Sequence, residues 1–424
     1  MPTGRFPLRQ WWWAAIGVVV VVVVAVAVAT NGFGLLGGSS QQARGPLPTP
    51  STAAPPSVAA VPPSGRVVSA LASGAVGDGR TDDTHALQRA LDGLQSGDTL
   101  SLPAGRTFAH GDVLHIRTAG ITVSGGGTLL ATDEQNAAVE VEADGVTLSG
   151  ITAATAHTTQ RWVSQQQMGI WLNGHSNIAL TGVTVLGAPA AGVFVEGTQD
   201  FSITSVTVRD TRADGIHITA GASHGLVKDV TTENTGDDGV AVVSYSNDRA
   251  QAGDIRIESP HVHGNTNGRG VTVVGGADVT ITDVDIRDTA AAALYIACER
   301  GSYTTRVPSN VTVTGGTIDG ANQDASVGHG AVLIYNGQGQ DALRDISVTG
   351  LTINDTRASA PRQVGLIAED NGPILGVTLA DLTFTGSGPG QLLDTNTDQL
   401  QFRATGWSVD GAGVPDQSAD AGSR

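Results

Sequence analysis

The chain has 424 residues, of which 57 are glycine and only 4% aromatic, and its formal net charge is −17. That charge excludes nucleic acid as an expected partner, because phosphate contacts need basic patches; the single cysteine, Cys298, excludes an internal disulfide. Length alone allows one to three domains, and abundant Val, Thr, Ile and Ala beside so much glycine favour short strands and tight turns over helices.

The first element is apolar. Residues 11–29 carry no charge and include an unbroken valine run from Val18 to Val24. About 20 apolar residues cross a bilayer, the run exceeds the roughly 7–15 residues of a signal-peptide core, and no A-x-A-like cleavage site follows it. Arg5 and Arg9 precede it and no basic residue follows before Arg44, so the positive-inside rule puts the N-terminus in the cytoplasm. The expected layout is a cytoplasmic tip and transmembrane anchor over 1–36, a disordered Ser/Pro/Ala linker over 37–65, a folded domain over 66–403 and a frayed tail over 404–424. The expected localisation is the cell membrane, single-pass, with the folded domain extracellular; secretion after signal cleavage is the alternative.

Next comes Gly74-Ala75-Val76-Gly77-Asp78-Gly79-Arg80-Thr81-Asp82-Asp83-Thr84, followed by Leu87, Ala90, Leu91 and Leu94 at helical spacing. A helix over 86–94 follows, capped by Asp82 or Asp83, and then Leu102-Pro103-Ala104-Gly105. Two strand signals then recur. One reads as Ile121-Thr122-Val123, Val146-Thr147-Leu148, Ile178-Ala179-Leu180 and onward to Val377-Thr378-Leu379. The other follows a glycine, as in Gly169-Ile170-Trp171-Leu172, Gly192-Val193-Phe194-Val195 and Gly365-Leu366-Ile367. A repeat of roughly 20–50 residues signals a solenoid. Two strand columns with variable loops predict an all-β fold, a parallel β-helix of about ten coils with a capping helix at its N-terminal end.

The residues that carry chemistry fall on that repeat. Asp214-Gly215, Asp237-Asp238-Gly239 and Arg269-Gly270 each open a β-branched strand, 24 residues apart from Gly215 to Gly239 and 31 from Gly239 to Gly270. If each strand is one rung, Asp214, Asp238 and Arg269 stack at about 4.8 Å per rung, and Gly215 and Gly239 are turn residues that aim the acids outward. Carboxylates packed so closely cannot all stay ionised, so one pKa rises. A proton donor beside a charged base is what glycoside hydrolysis requires, and a separation near 5 Å corresponds to retention of configuration. The alternative is that the aspartates only close turns. His217 is expected on the outer face of the same sheet. Longer coils add Trp162, Tyr245, Glu299, Arg300 and Tyr303 on one side, where insertions in a solenoid usually make the binding face. Together with Arg269 these are the expected substrate contacts, with Trp162 and Tyr245 able to stack on sugar rings.

Two resemblances add to this reading. The segment from Gly74 to Thr84, the short helix and Leu-Pro-Ala-Gly resemble the opening of pectate-lyase-superfamily proteins, which implies a right-handed parallel β-helix. Ala213-Asp214-Gly215, Gly236-Asp237-Asp238 and Gly268-Arg269-Gly270 resemble polygalacturonases, and Ala213 to His217 with Asn234 to Gly239 resemble the bacterial α-1,3-glucanase type more closely. The resemblance implies a polysaccharide hydrolase acting with inversion, with Asp214, Asp237 and Asp238 catalytic, Asp238 as acid and the other two as water activators. Polygalacturonases carry Gly-His-Gly where this chain has Gly268-Arg269-Gly270, and their Arg-x-Lys is absent near Tyr295, so a neutral or differently charged glycan is expected rather than galacturonan.

Two other readings share the fold. In a polysaccharide lyase or epimerase, Arg269 abstracts a sugar C5 proton and the three aspartates hold Ca²⁺; otherwise no cofactor is expected. In a non-catalytic glycan-binding solenoid the acids have only a structural role. His261-Val262-His263 puts two imidazoles on one side of a strand, but no further ligand is evident and no metal site is expected. A monomer is expected.

Overall fold

The computed structural model describes residues 65–421, all within the unit 54–424. Apart from the nine-residue helix Thr84–Asp92 and a 3-10 turn at Gln165–Gln167, its regular elements are strands, in an eleven-stranded and a 25-stranded sheet. The architecture is a right-handed parallel β-helix. Each coil contributes one strand to the smaller sheet, from Leu114–Ile116 at one end to Leu393–Thr395 at the other.

The expected first strand column lies in the larger sheet. A further row there was not expected: Thr128–Ala131, Thr152–Thr155, Thr184–Leu186 and Thr207–Arg209, stacked in parallel register. These strands have three or four residues and follow the preceding strand after only a short bend, so the pattern reads as one strand where the chain makes two. In later coils the two rows do run together, as Ala277–Arg287, Ser309–Asp319 and Leu343–Asn354.

Aliphatic side chains fill the interior. On six successive rungs of the smaller sheet, Ile170, Val193, Ile216, Val240, Val271 and Leu294 are aligned and at most 1% exposed. Aspartate and asparagine serve many of the turns: Asp200, Asp254 and Asp278, with His224 between the first two, all lie near φ 53°, a region short polar side chains tolerate. Much of the acidic surplus is therefore turn chemistry.

The helix lies against the end strand Leu114–Ile116, with Leu87 and Leu91 bordering the same internal space as Leu100, Leu114 and Val139. Asp83 stands at its N-cap, yet its carboxylate accepts the N–H groups of Val76 and Gly77, while Asp82 accepts that of Thr84. The other end differs from expectation. Instead of a frayed tail, Gln417–Ala419 pairs antiparallel with Leu400–Thr405, and Ala412–Gly413 with Ser408–Val409. Trp407 is buried there and its Nε1 donates to the Leu379 carbonyl at 2.9 Å. An antiparallel turn-back covers the open edge a parallel stack would otherwise present.

The expected membrane anchor over 1–36 and the linker up to residue 64 lie outside the described residues. Among the described residues no helix is long and apolar enough to cross a membrane; the one α-helix has nine residues, less than half of the roughly 20 required. The single-pass cell-membrane assignment, with an extracellular domain and a membrane partner, is corrected accordingly.

Candidate active site

A glycine ladder sets the register of the site. Gly215 N–H donates to the Asp238 carbonyl at 2.8 Å, and Gly239 N–H to the Arg269 carbonyl at 2.9 Å. A Cβ on Gly215 would stand 2.6 Å from the Gly239 carbonyl oxygen, and one on Gly239 would stand 2.9 Å from that of Gly270, closer than side chains pack. These glycines are needed for close stacking of rungs, and neither adopts the left-handed backbone expected of a turn residue. The residue before each is thereby fixed at the same edge, so Asp214, Asp238 and Arg269 do form a column.

The three carboxylates meet there, with their nearest oxygens within 4.8 Å of one another. Each has a different setting. Asp238 is buried, and both its oxygens are taken: Oδ1 accepts Arg269 N–H and Nε–H at 2.8 Å each, and Oδ2 accepts Arg269 Nη2 at 2.9 Å and Thr272 Oγ1 at 3.0 Å. Asp214 Oδ2 pairs with His217 Nδ1 at 2.5 Å, and its Oδ1 accepts the Asp238 N–H at 2.9 Å. Asp237 keeps a 26% exposed side chain, and its one side-chain partner is Arg161 Nη1, at 2.7 Å from Oδ2.

Charge follows geometry. Burial pushes the Asp237 carboxyl up to about 6, reinforced by the neighbouring Asp238 and Asp214. For Asp214, burial acts in the same direction, but the His217 hydrogen bond and charge, with Arg161 and Arg269, outweigh it and hold the group below its ordinary value. Burial also opposes the Arg269 charge; the Asp238 carboxylate more than compensates, so this guanidinium stays protonated well above its usual range. Two arginines thus each pair with one acid of the cluster, Arg161 with Asp237 and Arg269 with Asp238. A Ca²⁺ ion, which takes six to eight oxygens, would have to displace Arg269 from Asp238.

Among the expected binding residues, His217 and Arg269 meet the acids directly. Glu299 joins through Arg269 Nη1 at 3.4 Å and accepts the Tyr295 hydroxyl at 3.0 Å. Tyr245 is half-buried beside Val243 and Tyr295, and burial raises its phenol, with Asp214 contributing. Tyr303 is 68% exposed. Two do not converge on the cluster. Arg300 turns to Asp370, Nη1 to Oδ2 at 2.6 Å. Trp162 is half-buried in the loop that carries Arg161, and its backbone N–H donates to the Pro189 carbonyl.

Some contacts and residues of the site were not expected. Arg161 reaches Asp237 from 76 positions earlier, a contact no local spacing signals. Its loop, with the turns at 210–212, 234–236 and 266–267, borders a cleft of about 660 Å³. Trp171 and Phe194 did carry a signal: each stands two residues after a ladder glycine, as His217 does. Register aligns Trp171, Phe194, His217, Ala241, Thr272 and Tyr295 on the outer face. Phe194 stacks on His217 at 5.2 Å, Tyr295 stacks on His329 at 5.6 Å, and Arg269 sits 4.6 Å over the Tyr295 ring. Trp171 Nε1 donates to Glu196 at 3.0 Å. An aromatic strip therefore leads along the sheet into a column of acids.

A parallel β-helix with an acidic column on one sheet edge defines a class of proteins, and comparisons with known proteins narrow it. The model for rhamnogalacturonase A/epimerase, pectate lyase-like proteins matches residues 67–295, more than half of the chain, and the chain belongs to that family. Among solved structures it is similar to the hyperthermoactive exopolygalacturonase of Thermotoga maritima, with 14% identity over 84% of this chain and 94% of that one and a TM-score of 0.64. It is also similar to the catalytic unit of a GH87 α-1,3-glucanase from Streptomyces thermodiastaticus, at 19% identity, 83% and 70% coverage and a TM-score of 0.61. A third is the A-module of a mannuronan C-5 epimerase from Azotobacter vinelandii, at 16% identity, 80% and 99% coverage and a TM-score of 0.55. At these identities the likeness is one of fold. No curated protein matches the sequence.

Proposed function

We propose that the chain is a carbohydrate-active enzyme that hydrolyses a glycosidic bond in a polysaccharide, with Asp237 as proton donor. One observation carries this reading: of three adjoining aspartates, only Asp237 is both raised, to about 6, and still partly open to solvent. A donor must hold its proton near working pH and reach the leaving oxygen. Asp238, with both oxygens bonded to Arg269 and Thr272, has none free to reach the leaving oxygen, so the donor role expected for it passes to Asp237. Asp237 protonates the glycosidic oxygen as the C–O bond breaks. Water adds to the anomeric carbon, and its proton passes to Asp214, which His217 keeps ionised. Asp238, itself fixed by Arg269, holds Asp214 through its N–H, and Arg161 holds Asp237. Trp171 and Phe194 offer ring faces for sugars.

The lyase or epimerase reading asks Arg269 to act as a base. A guanidinium that makes two hydrogen bonds to one buried carboxylate does not give up its proton. The same pairing leaves Arg269 little capacity for a substrate carboxylate, which favours a neutral glycan.

The test is a glycan panel scored for reducing ends and for unsaturated products, with Asp237→Asn and a chelator control alongside. Reducing ends without unsaturation, lost in the variant and indifferent to chelator, support the reading. Unsaturated, chelator-sensitive product overturns it in favour of elimination. The resemblance implies inversion, whereas carboxylates this close correspond to retention; proton NMR of the first product's anomer decides between them.

A further inference from the structure

His261-Val262-His263 takes no part in the acid cluster. The two histidines open the strand His261–Asn265, and strand alternation turns both imidazoles to the same outer face. The third donor comes from the next rung. Register pairs His261 with Asp285, and one carboxylate oxygen, Asp285 Oδ2, stands 3.2 Å from His261 Nδ1 and 3.5 Å from His263 Nε2. All three donor atoms lie within 4.8 Å of one another. The His263 side chain is 38% exposed, but its Nε2 is inaccessible to solvent, and its one polar neighbour, the Asp285 carboxylate, stands too far at 3.5 Å for a good hydrogen bond. Behind the carboxylate, Arg287 Nε donates to Oδ1 at 2.8 Å and Nη2 to Oδ2 at 3.2 Å, the kind of outer support that fixes a ligating carboxylate.

We propose that His261, His263 and Asp285 bind one divalent transition-metal ion, with Zn²⁺ the fitting occupant. Two imidazole nitrogens and one carboxylate oxygen suit a borderline ion, and solvent completes a tetrahedron. The two other groups of similar make-up are already satisfied. His115 Nδ1 lies 2.9 Å from Glu140 and 2.6 Å from Glu142; Asp237 and Asp238 pair with Arg161 and Arg269, and Asp214 with His217. The ion ties the strand His261–Asn265 to Ala277–Arg287. Asn265, at the end of the first strand, donates to the Arg269 carbonyl at 2.8 Å, so the clamp stiffens the rung that delivers Arg269 to Asp238. The proposal stands apart from the hydrolase reading.

The test titrates the full-length, untagged chain with ZnCl₂ by calorimetry and with Co²⁺ by visible absorption. We expect one equivalent of Zn²⁺, tetrahedral Co²⁺ bands, and affinity falling at least tenfold in each of His261→Ala, His263→Ala and Asp285→Asn, but unchanged in His115→Ala and Asp237→Asn. If an alanine variant melts early by circular dichroism, His263→Gln, which keeps the volume, carries the same comparison. No saturable one-to-one binding by the wild type overturns the site, as does undiminished binding in any of the three ligand variants or loss of binding in Asp237→Asn.

Discussion

Six rungs of one sheet present two columns of side chains that obey different rules. The inner column, Ile170, Val193, Ile216, Val240, Val271 and Leu294, is uniformly aliphatic and sealed from solvent. The outer column, one residue along on the same strands, reads Trp171, Phe194, His217, Ala241, Thr272 and Tyr295, no two alike. Backbone register is common to both. A stacked interior admits only side chains that fit the rungs above and below; the outer positions lie outside that stack, although Ala241, Thr272, Tyr295 and His217 are buried there too. Variation along a solenoid therefore marks where chemistry resides.

The sharpest test of that division is at the edge of the outer face. Asp237→Asn keeps shape and hydrogen-bonding reach but has no carboxyl proton to donate. Turnover on the responsive glycan is expected to fall about 10³-fold, within the usual range for a general acid, with no loss in melting temperature. Arg269→Ala has a large effect of the other kind. It leaves Asp238 buried and unpaired, which costs about 3–5 kcal/mol, so denaturant unfolding shifts strongly although the residue lies on the outer side. Within the inner column, Ile216→Ala is expected to cost about 3 kcal/mol, while Ala241→Ser on the adjacent strand's outer face costs well under half of that. Equal costs at Ile216 and Ala241 would erase the distinction between the columns.

The pH dependence of stability probes the same acids with a smaller effect. Asp237 has a folded pKa near 6, above its unfolded value, so the fold favours its protonated form. That contribution is complete below the unfolded pKa and is lost as pH climbs through about 6. At about pH 7.5 the ionised group costs about 1–3 kcal/mol, and Asp237→Asn should be more stable than wild type by that amount; near pH 4 the advantage should vanish. Asp214, whose folded pKa is lowered, has the opposite sign: its contribution is present above its unfolded pKa and is lost on further acidification. Denaturant midpoints at the two pH values measure the first, and a further, more acidic point measures the second.

Much of this arrangement could be read from the sequence because the repeat fixes it. Gly215, Gly239 and Gly270 mark equivalent points on successive coils, and once they are aligned Asp214, Asp238 and Arg269 must stack. The opening Gly77-Asp78-Gly79 and the helix after it declare the fold in the same local way. What escaped has partners that depend on loop length and not on period. Arg161 meets Asp237 only because its loop folds across the turns that follow, and Arg300 leaves the cluster because Asp370 lies closer. Asp285 completes the pair at His261 and His263 only when rungs are counted through an intervening loop. The third strand row was hidden by its brevity, and the antiparallel end by the loss of the repeat that had guided the reading.

The smallest expected effect concerns the outer face away from the acids. Trp171 and Phe194 are half-buried and packed with Met168, Ala190 and Ala191, an arrangement that could be read as a satellite core. Under that reading Trp171→Ala destabilises the fold and leaves glycan affinity unchanged once folded. As a sugar platform, Trp171 instead contributes about 1 kcal/mol of stacking, so Trp171→Ala raises the dissociation constant for an oligosaccharide about fivefold. Asp237→Asn, bound but unreactive, is the background in which to measure it. Trp171→Phe separates the two: it keeps an apolar ring and loses the Nε1 bond to Glu196. Recovery of affinity by phenylalanine assigns the outer column to substrate; recovery of stability alone returns it to packing.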